Sequence, residues 1–147
     1  MRRSSGFDAV LGFMQALWAL EQGLHRASRA MLDATGVTGP QRLVLLVVER
    51  LGPIAPGRLA HVLHLHPASV TRLARTMEER SFLRRRRHPR DRRQVLLDLA
   101  PRGSRIVARR TGTLEGTVRS VLVRASRAEV SAAVRLITRI AGRLGAE

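Results

Sequence analysis

Apolar residues recur every three, four or seven positions at Phe7, Val10, Met14, Leu17, Leu24 and Met31, which is the period of a helix running to about Ala34. At 1.5 Å per residue this segment extends about 42 Å, further than a small domain needs for its own core. Leu11, Trp18 and Leu32 widen its apolar face, so part of it is expected to pack on another subunit. Gly36 can take the left-handed conformation that closes the helix, and Thr38-Gly39-Pro40-Gln41 opens the next. That second helix carries Leu43, Val44, Leu46, Val47 and Leu51, is expected to be largely buried, and stops at Gly52-Pro53. After a short extended piece at Ile54-Ala55, Pro56-Gly57 starts a compact helix with Leu59, Ala60, Leu63 and Leu65 on one side. His66-Pro67 marks another start. From Pro67 to about Arg80, Val70, Leu73, Ala74 and Met77 form an inward stripe and leave Ser69, Arg72, Arg75, Thr76 and Glu79 toward solvent.

The period then changes. Phe82-Leu83 and the run from Val95 to Leu99 flank a polar stretch containing Arg84, Arg85, Arg86, Arg87, Arg90, Arg92 and Arg93, with Pro89 and Arg90-Asp91 at its tip, as in a hairpin. Two short helices followed by a hairpin make a helix-turn-helix with a wing. Pro101 opens a long helical pattern through Ile106, Val107, Leu114, Val118 and Leu122, weakened by Gly112 and Gly116. The last helix begins at a capping box, Ser126-Arg127-Ala128-Glu129, and carries Val130, Val134, Ile137, Ile140 and Leu144. With no internal repeat and no dividing linker, the 147 residues read as one mainly α domain with a minor β component.

Charge narrows the function. The 27 basic residues, all arginine, outnumber 11 acidic ones and give a net charge of +16. Self-repulsion of that size is relieved by a polyanionic partner, nucleic acid ahead of an acidic membrane surface. No apolar run reaches the roughly 18 residues that span a bilayer. The N-terminus lacks the pattern of a secretory signal, so a cytoplasmic, nucleoid-associated location is expected. Without cysteine there are no disulfides, thiolate metal sites or thiol redox sensing within this sequence. Phosphate-loop, nucleophile-elbow and zinc-protease motifs are lacking too, so neither an enzyme nor a cofactor is expected. His61, His64 and His66 have no carboxylate or cysteine near in sequence and read as surface or phosphate-facing residues rather than a metal site.

Several of these segments fall in the order and spacing of a known family. They are Leu59-Ala60, Ser69-Val70-Thr71-Arg72-Leu73, Glu78-Glu79-Arg80, His88-Pro89-Arg90-Asp91-Arg92-Arg93, Leu99 and Pro101-Arg102-Gly103. On them the chain resembles the MarR family of bacterial transcriptional regulators, most closely from Gly39 to Ser104. The chain departs from the usual pattern at four places. Ser81 stands where glycine is usual, Ala100 where threonine would cap the next helix, His88 where aspartate is common, and Arg84 where an acidic residue is common.

The resemblance implies a winged helix-turn-helix lobe over about residues 37–100, and homodimerisation helices over about 1–36 and 101–147. It implies a repressor on a pseudo-palindromic operator. In the major groove the expected contacts are Pro67, Ala68, Ser69, Thr71, Arg72 and Arg75, with arginine reading guanine. In the wing, Arg93 or its neighbour Arg92 enters the minor groove, Asp91 orients Arg93, and Arg85, Arg86, Arg87 and Arg90 hold phosphates. Gln41 is a further phosphate candidate. A small phenolic or anionic effector is expected between the dimerisation helices and the DNA-reading lobe, with Met14, Trp18 and His25 as candidate lining. The rival reading is an architectural DNA-binding protein indifferent to sequence, since charge alone supplies non-specific affinity.

Overall fold

The computed structural model describes residues 4–145. Residues 1–3 and 146–147, which the sequence reading assigns to the terminal dimerisation segments, lie outside the described residues. Helix α1 (Ser4–Thr35) is followed by α2 (Gly39–Leu51), α3 (Pro56–Leu63) and α4 (Pro67–Glu79). Strands β1 (Leu83–Arg87) and β2 (Val95–Leu99) then form an antiparallel hairpin in which Leu83 faces Leu99 and Arg87 faces Val95. The chain ends with α5 (Pro101–Ala108), α6 (Leu114–Leu122) and α7 (Arg127–Leu144). Ile54 adds a single bridge to the sheet edge through reciprocal bonds with Leu97 of 2.9 and 2.8 Å. The extended piece before α3 thus pins the base of the hairpin to the helices.

The core lies within the lobe from Val37 to Val107. Val44, Leu45 and Val48 of α2 meet Leu59 and Ala60 of α3, Val70, Ala74 and Met77 of α4, and Phe82, Leu83 and Leu97 from the hairpin and its approach. Two boundaries follow the capping signals. Thr38 and Gln41 form a capping box at the start of α2, and Ser126 and Glu129 form another at α7. Ala100 makes no side-chain cap on α5, and Ser81 takes the left-handed conformation at φ 59°.

Two expectations are corrected by the structure. The long helix from Pro101 to Leu122 is broken between Ala108 and Leu114. Gly112 turns at φ 67°, where a side chain would be strained, and the Thr113 hydroxyl caps α6 at the Gly116 N–H. Helix α2 is also less buried on its leucine side than expected. Leu43 and Leu51 are exposed, while Gln41 and Arg42 lie inside.

Arg42 explains both corrections. Its side chain is 1% exposed. Nη1 donates to the Ile106 carbonyl at 2.7 Å, which also accepts the Arg109 N–H at 3.2 Å, and Nη2 donates to the Arg109 carbonyl at 2.6 Å, so both contacts fall where α5 ends. Nε donates to both carboxylate oxygens of Glu115, at 2.8 and 2.9 Å, in the first turn of α6. One guanidinium thereby holds α2 to the break between α5 and α6. Burial alone would raise the Glu115 carboxyl, but the Arg42 hydrogen bonds and charge outweigh it and hold the group below its ordinary value.

Gly103 allows a second close approach. A Cβ there would stand 2.1 Å from the Phe82 carbonyl oxygen, which itself accepts from the Ala100 N–H. Gly103→Ala is expected to lower stability by about 3 kcal/mol, the upper end of overpacking costs, in urea unfolding. Glu115→Ala leaves a buried guanidinium without its counter-charge and is expected to cost about 3 kcal/mol. Because the Glu115 pKa is depressed on folding, its contribution is full above the unfolded carboxylate value and is lost as pH falls through the folded value. Urea midpoints measured from pH 7 downward are therefore expected to fall less steeply in acid for Glu115→Gln than for the unmodified protein.

Candidate nucleic-acid interface

Helix α4 presents a face of small and basic side chains because its apolar stripe is used inward. Val70, Ala74 and Met77 are buried, Ser69 is half-buried, and Pro67, Ala68, Thr71, Arg72 and Arg75 are exposed. Thr71 donates its hydroxyl to the Pro67 carbonyl at 3.0 Å. Arg75 pairs with Glu79 one turn on at 3.1 Å, but both side chains are well exposed, so the pair contributes little and separates readily. Arg72 has no side-chain partner among the described residues. The N-cap is His66, whose Nδ1 accepts from the Ala68 N–H.

The wing divides its arginines by position. At the base, Arg84 sits opposite Asp98 in register and donates to Oδ2 at 3.1 and 2.8 Å, and Arg86 reaches the same oxygen from the diagonal position at 3.2 Å. Arg85, on the other face of the strand, donates to Glu78 of α4 at 2.8 Å. Burial would raise the Asp98 carboxyl, yet hydrogen bonds from Arg84 and Arg86, with the Leu99 N–H, hold it below the usual range. Arg85 and Arg86, expected as phosphate ligands, thus already carry carboxylate partners. Arg87, Arg90, Arg92 and Arg93 make no side-chain ion pair among the described residues.

The role read for Asp91 is corrected in its atoms. Asp91 Oδ1 accepts from the backbone N–H of Arg93 at 3.0 Å, not from its guanidinium, and Oδ2 accepts from the Gln94 amide at 3.2 Å. The carboxylate shapes the tip and, among the described residues, leaves the Arg93 guanidinium without a partner. On the same turn His88 Nδ1 accepts from the N–H groups of both Arg90 and Asp91, each at 3.2 Å.

Other candidates move elsewhere. Gln41 is 7% exposed, its amide oxygen accepts from the Thr38 N–H, and its own N–H donates to Thr38 Oγ1, so neither group is open to a phosphate. Met14 and Trp18 line a groove of 850 Å³ with Phe13, Leu17 and Ile140, between α1 and α7 rather than beside the lobe. His25 lines neither that groove nor the junction cavity, and its Nδ1 bonds with the Glu21 carbonyl. The cavity at the junction is 470 Å³ and is lined by Leu24, Leu46, Leu63, Leu114 and Val118, with Arg42 and Glu115 at its wall. His61, His64 and His66 join no group of three metal-ligating side chains among the described residues.

Sequence reasoning missed Arg42, Glu115, Arg80 and Asp98. For Arg42 a signal existed, because it lies three residues before Leu45 on the buried stripe of α2. Arg80 bonds the Gly36 carbonyl at 2.7 Å, and its guanidinium and that of Arg102 lie 4.7 and 4.8 Å from the centre of the Phe82 ring. These contacts tie the end of α4 to the turn after α1.

The exposed helix, the hairpin beside it and the long flanking helices match known proteins throughout. The MarR family model matches residues 37–95. An uncharacterized HTH-type transcriptional regulator of Bacillus subtilis (strain 168), YsmB, is 30% identical over 104 residues, covering 71% of each chain. Among solved structures, a MepR-like protein complexed with pseudoligands aligns over 90% of this chain and 94% of its own, with 21% identity and a TM-score of 0.75. A mutant E. coli MarR complexed with operator DNA aligns over 91% and 96%, with 21% identity and a TM-score of 0.69. With a winged helix-turn-helix built on these residues and relatives of that kind, the chain belongs to the MarR family of transcriptional regulators.

Proposed function

We propose that the protein is a homodimeric repressor that binds a pseudo-palindromic double-stranded operator and occludes a promoter. The observation that carries the reading is the pairing of two surfaces. One is the exposed face of α4 with Arg72 and Arg75, and the other is a wing whose Arg87, Arg90, Arg92 and Arg93 have no carboxylate partner among the described residues. Pro67, Ala68, Ser69 and Thr71 permit close approach in the major groove, and Arg72 and Arg75 read base edges. Arg93 or Arg92 enters the minor groove, where A·T segments concentrate negative potential, and Arg87 and Arg90 hold phosphates. That a neighbour of this fold is complexed with operator DNA supports DNA as the partner. Such a regulator acts at the nucleoid in the cytoplasm, and no described helix is long and apolar enough to cross a membrane.

The dimer reading rests on uncovered apolar surface. Phe7 is 65% exposed, Trp18 58%, Val121 67% and Leu144 78%, on α1, α6 and α7 outside the lobe core. Surface of that extent on helices of one domain calls for a partner, and a second copy supplies it. Residues 1–36 and 101–147 thus serve dimerisation while 37–100 reads DNA. Two half-sites about 34 Å apart then follow from the two-fold axis.

A small effector would occupy the junction cavity, and that a MepR-like neighbour is complexed with pseudoligands supports a small-molecule partner. The cavity wall is almost wholly aliphatic, and its one arginine is already committed to Glu115 and two carbonyls. An uncharged aromatic or phenolic molecule fits this chemistry better than a carboxylate, whose desolvation nothing there offsets.

The reading is tested with a duplex enriched from a random library by the unmodified protein and with its scrambled counterpart, at about 150 mM salt. Preference for the enriched duplex is expected; equal binding would establish the architectural alternative. Arg72→Ala is expected to cost about 1–3 kcal/mol on the enriched duplex and to relax selectivity at one position. Arg87→Ala or Arg90→Ala should each reduce the slope of log affinity against log salt by about 1, the share of one phosphate ligand, whereas Arg84→Ala leaves the slope nearly unchanged. For the effector, calorimetry is expected to give heat and DNA release with an uncharged phenol and neither with its carboxylate analogue.

A further inference from the structure

Each of the two DNA-contacting elements, α4 and the wing tip, is closed by a histidine ring. In α4 the first residue, Pro67, has no N–H to satisfy. The next three donors all end on His66: Ala68 N–H on ring Nδ1 at 3.2 Å, and Ser69 and Val70 N–H on its carbonyl at 3.0 and 3.2 Å. Serine, threonine, aspartate and asparagine are the usual caps, so a ring in this role is an uncommon choice. In the wing, His88 repeats the device. Its Nδ1 accepts from Arg90 and Asp91 N–H, while its own backbone N–H donates to the Gln94 carbonyl at 3.0 Å and the Gln94 N–H closes on the Asp91 carbonyl at 3.0 Å. The turn so fixed is the one that carries Arg90, Arg92 and Arg93 outward.

We propose that His66 and His88 are positioning residues for DNA binding, each preorganising one reading element through a ring nitrogen that accepts backbone N–H groups. His66 orders the turn bearing Ala68, Ser69, Thr71 and Arg72, and His88 orders the tip bearing Arg90, Arg92 and Arg93. Neither needs to touch a base. A ring nitrogen that accepts carries no proton, so this geometry leaves Nε2 as the ring's N–H position in both residues. Their effect on affinity is the ordering that DNA would otherwise have to impose on a frayed turn. The inference rests on the assignment of α4 and the wing as the reading elements.

The test uses the full chain and the library-enriched duplex. His66→Ala and His88→Ala are each expected to weaken binding about tenfold. His66→Asn and His88→Asn, whose amide oxygen offers an acceptor in the same place, should return affinity to within about twofold of the unmodified protein. Nitrogen-15 NMR of the free protein at pH 7.5 is expected to show the Nε2–H tautomer for both rings. Alanine variants that bind as tightly as the unmodified protein, asparagine variants as weak as alanine, or an Nδ1–H tautomer would each overturn the inference. If the unmodified protein itself fails to prefer the enriched duplex, the DNA-reading assignment falls and takes this inference with it. If it does prefer that duplex and both alanine variants share the preference and affinity, the positioning role alone is lost.

Discussion

The buried guanidinium of Arg42 is the constraint on which the relation between the two parts of the molecule depends. It arises from the second helix, at the start of the winged helix-turn-helix lobe, and its donors end on the Ile106 and Arg109 carbonyls at the close of α5 and on the carboxylate that starts α6. Burying an arginine costs several kcal/mol unless charge and hydrogen bonds are both satisfied, and here they are. The planar fork of the side chain meets partners from fixed directions, so the break between α5 and α6 has one geometry rather than many. A lysine would satisfy neither the spread of acceptors nor their angles.

That clamp also forms the wall of the junction cavity, which gives the lobe interface its chemical character. The positive charge that would attract an anion is spent internally, and what remains facing the space is aliphatic. A molecule entering it would lie against the residues that hold the lobe in place. Occupancy and lobe orientation are thereby in physical contact, which is the requirement for a ligand to act on DNA binding at all.

The wing handles a net charge of +16 by segregation. At its base, Asp98 pairs with Arg84 and Arg86 and Glu78 with Arg85, which offsets part of the positive charge crowded along β1 where the hairpin packs on α4. At its tip no carboxylate reaches a guanidinium among the described residues, and Asp91 and His88 spend their acceptors on backbone N–H groups and the Gln94 amide. The arginines furthest from the core therefore meet solvent unpaired. A polyanion gains most from such charges, since no internal pair must be broken to reach them.

Local features were legible in the sequence because their causes are local. Helical period placed α1, α2, α4 and α7, proline, glycine and a capping box placed several of their ends, and two apolar segments flanking an arginine-rich stretch with Pro89 at its tip placed the hairpin. The exposed face of α4 followed from the same period, which assigns Val70, Ala74 and Met77 to the interior and leaves Arg72 and Arg75 outside. Partners distant in sequence were not legible. Arg42 and Glu115 are 73 positions apart, and only the folded chain brings them together. The pairing of Arg85 with Glu78 depends on how the strand leaves α4, and the contact of Asp91 with a backbone N–H rather than a guanidinium depends on the dihedrals of one turn. The sequence alone determined most of the elements and the buried face of α4, because period and capping act within a few residues, while the break between α5 and α6 and the inward turn of Arg42 on α2 came from packing. Tertiary structure alone decided which charges are spent inside the protein and which remain for a partner, because a side chain's partner is set by packing in three dimensions.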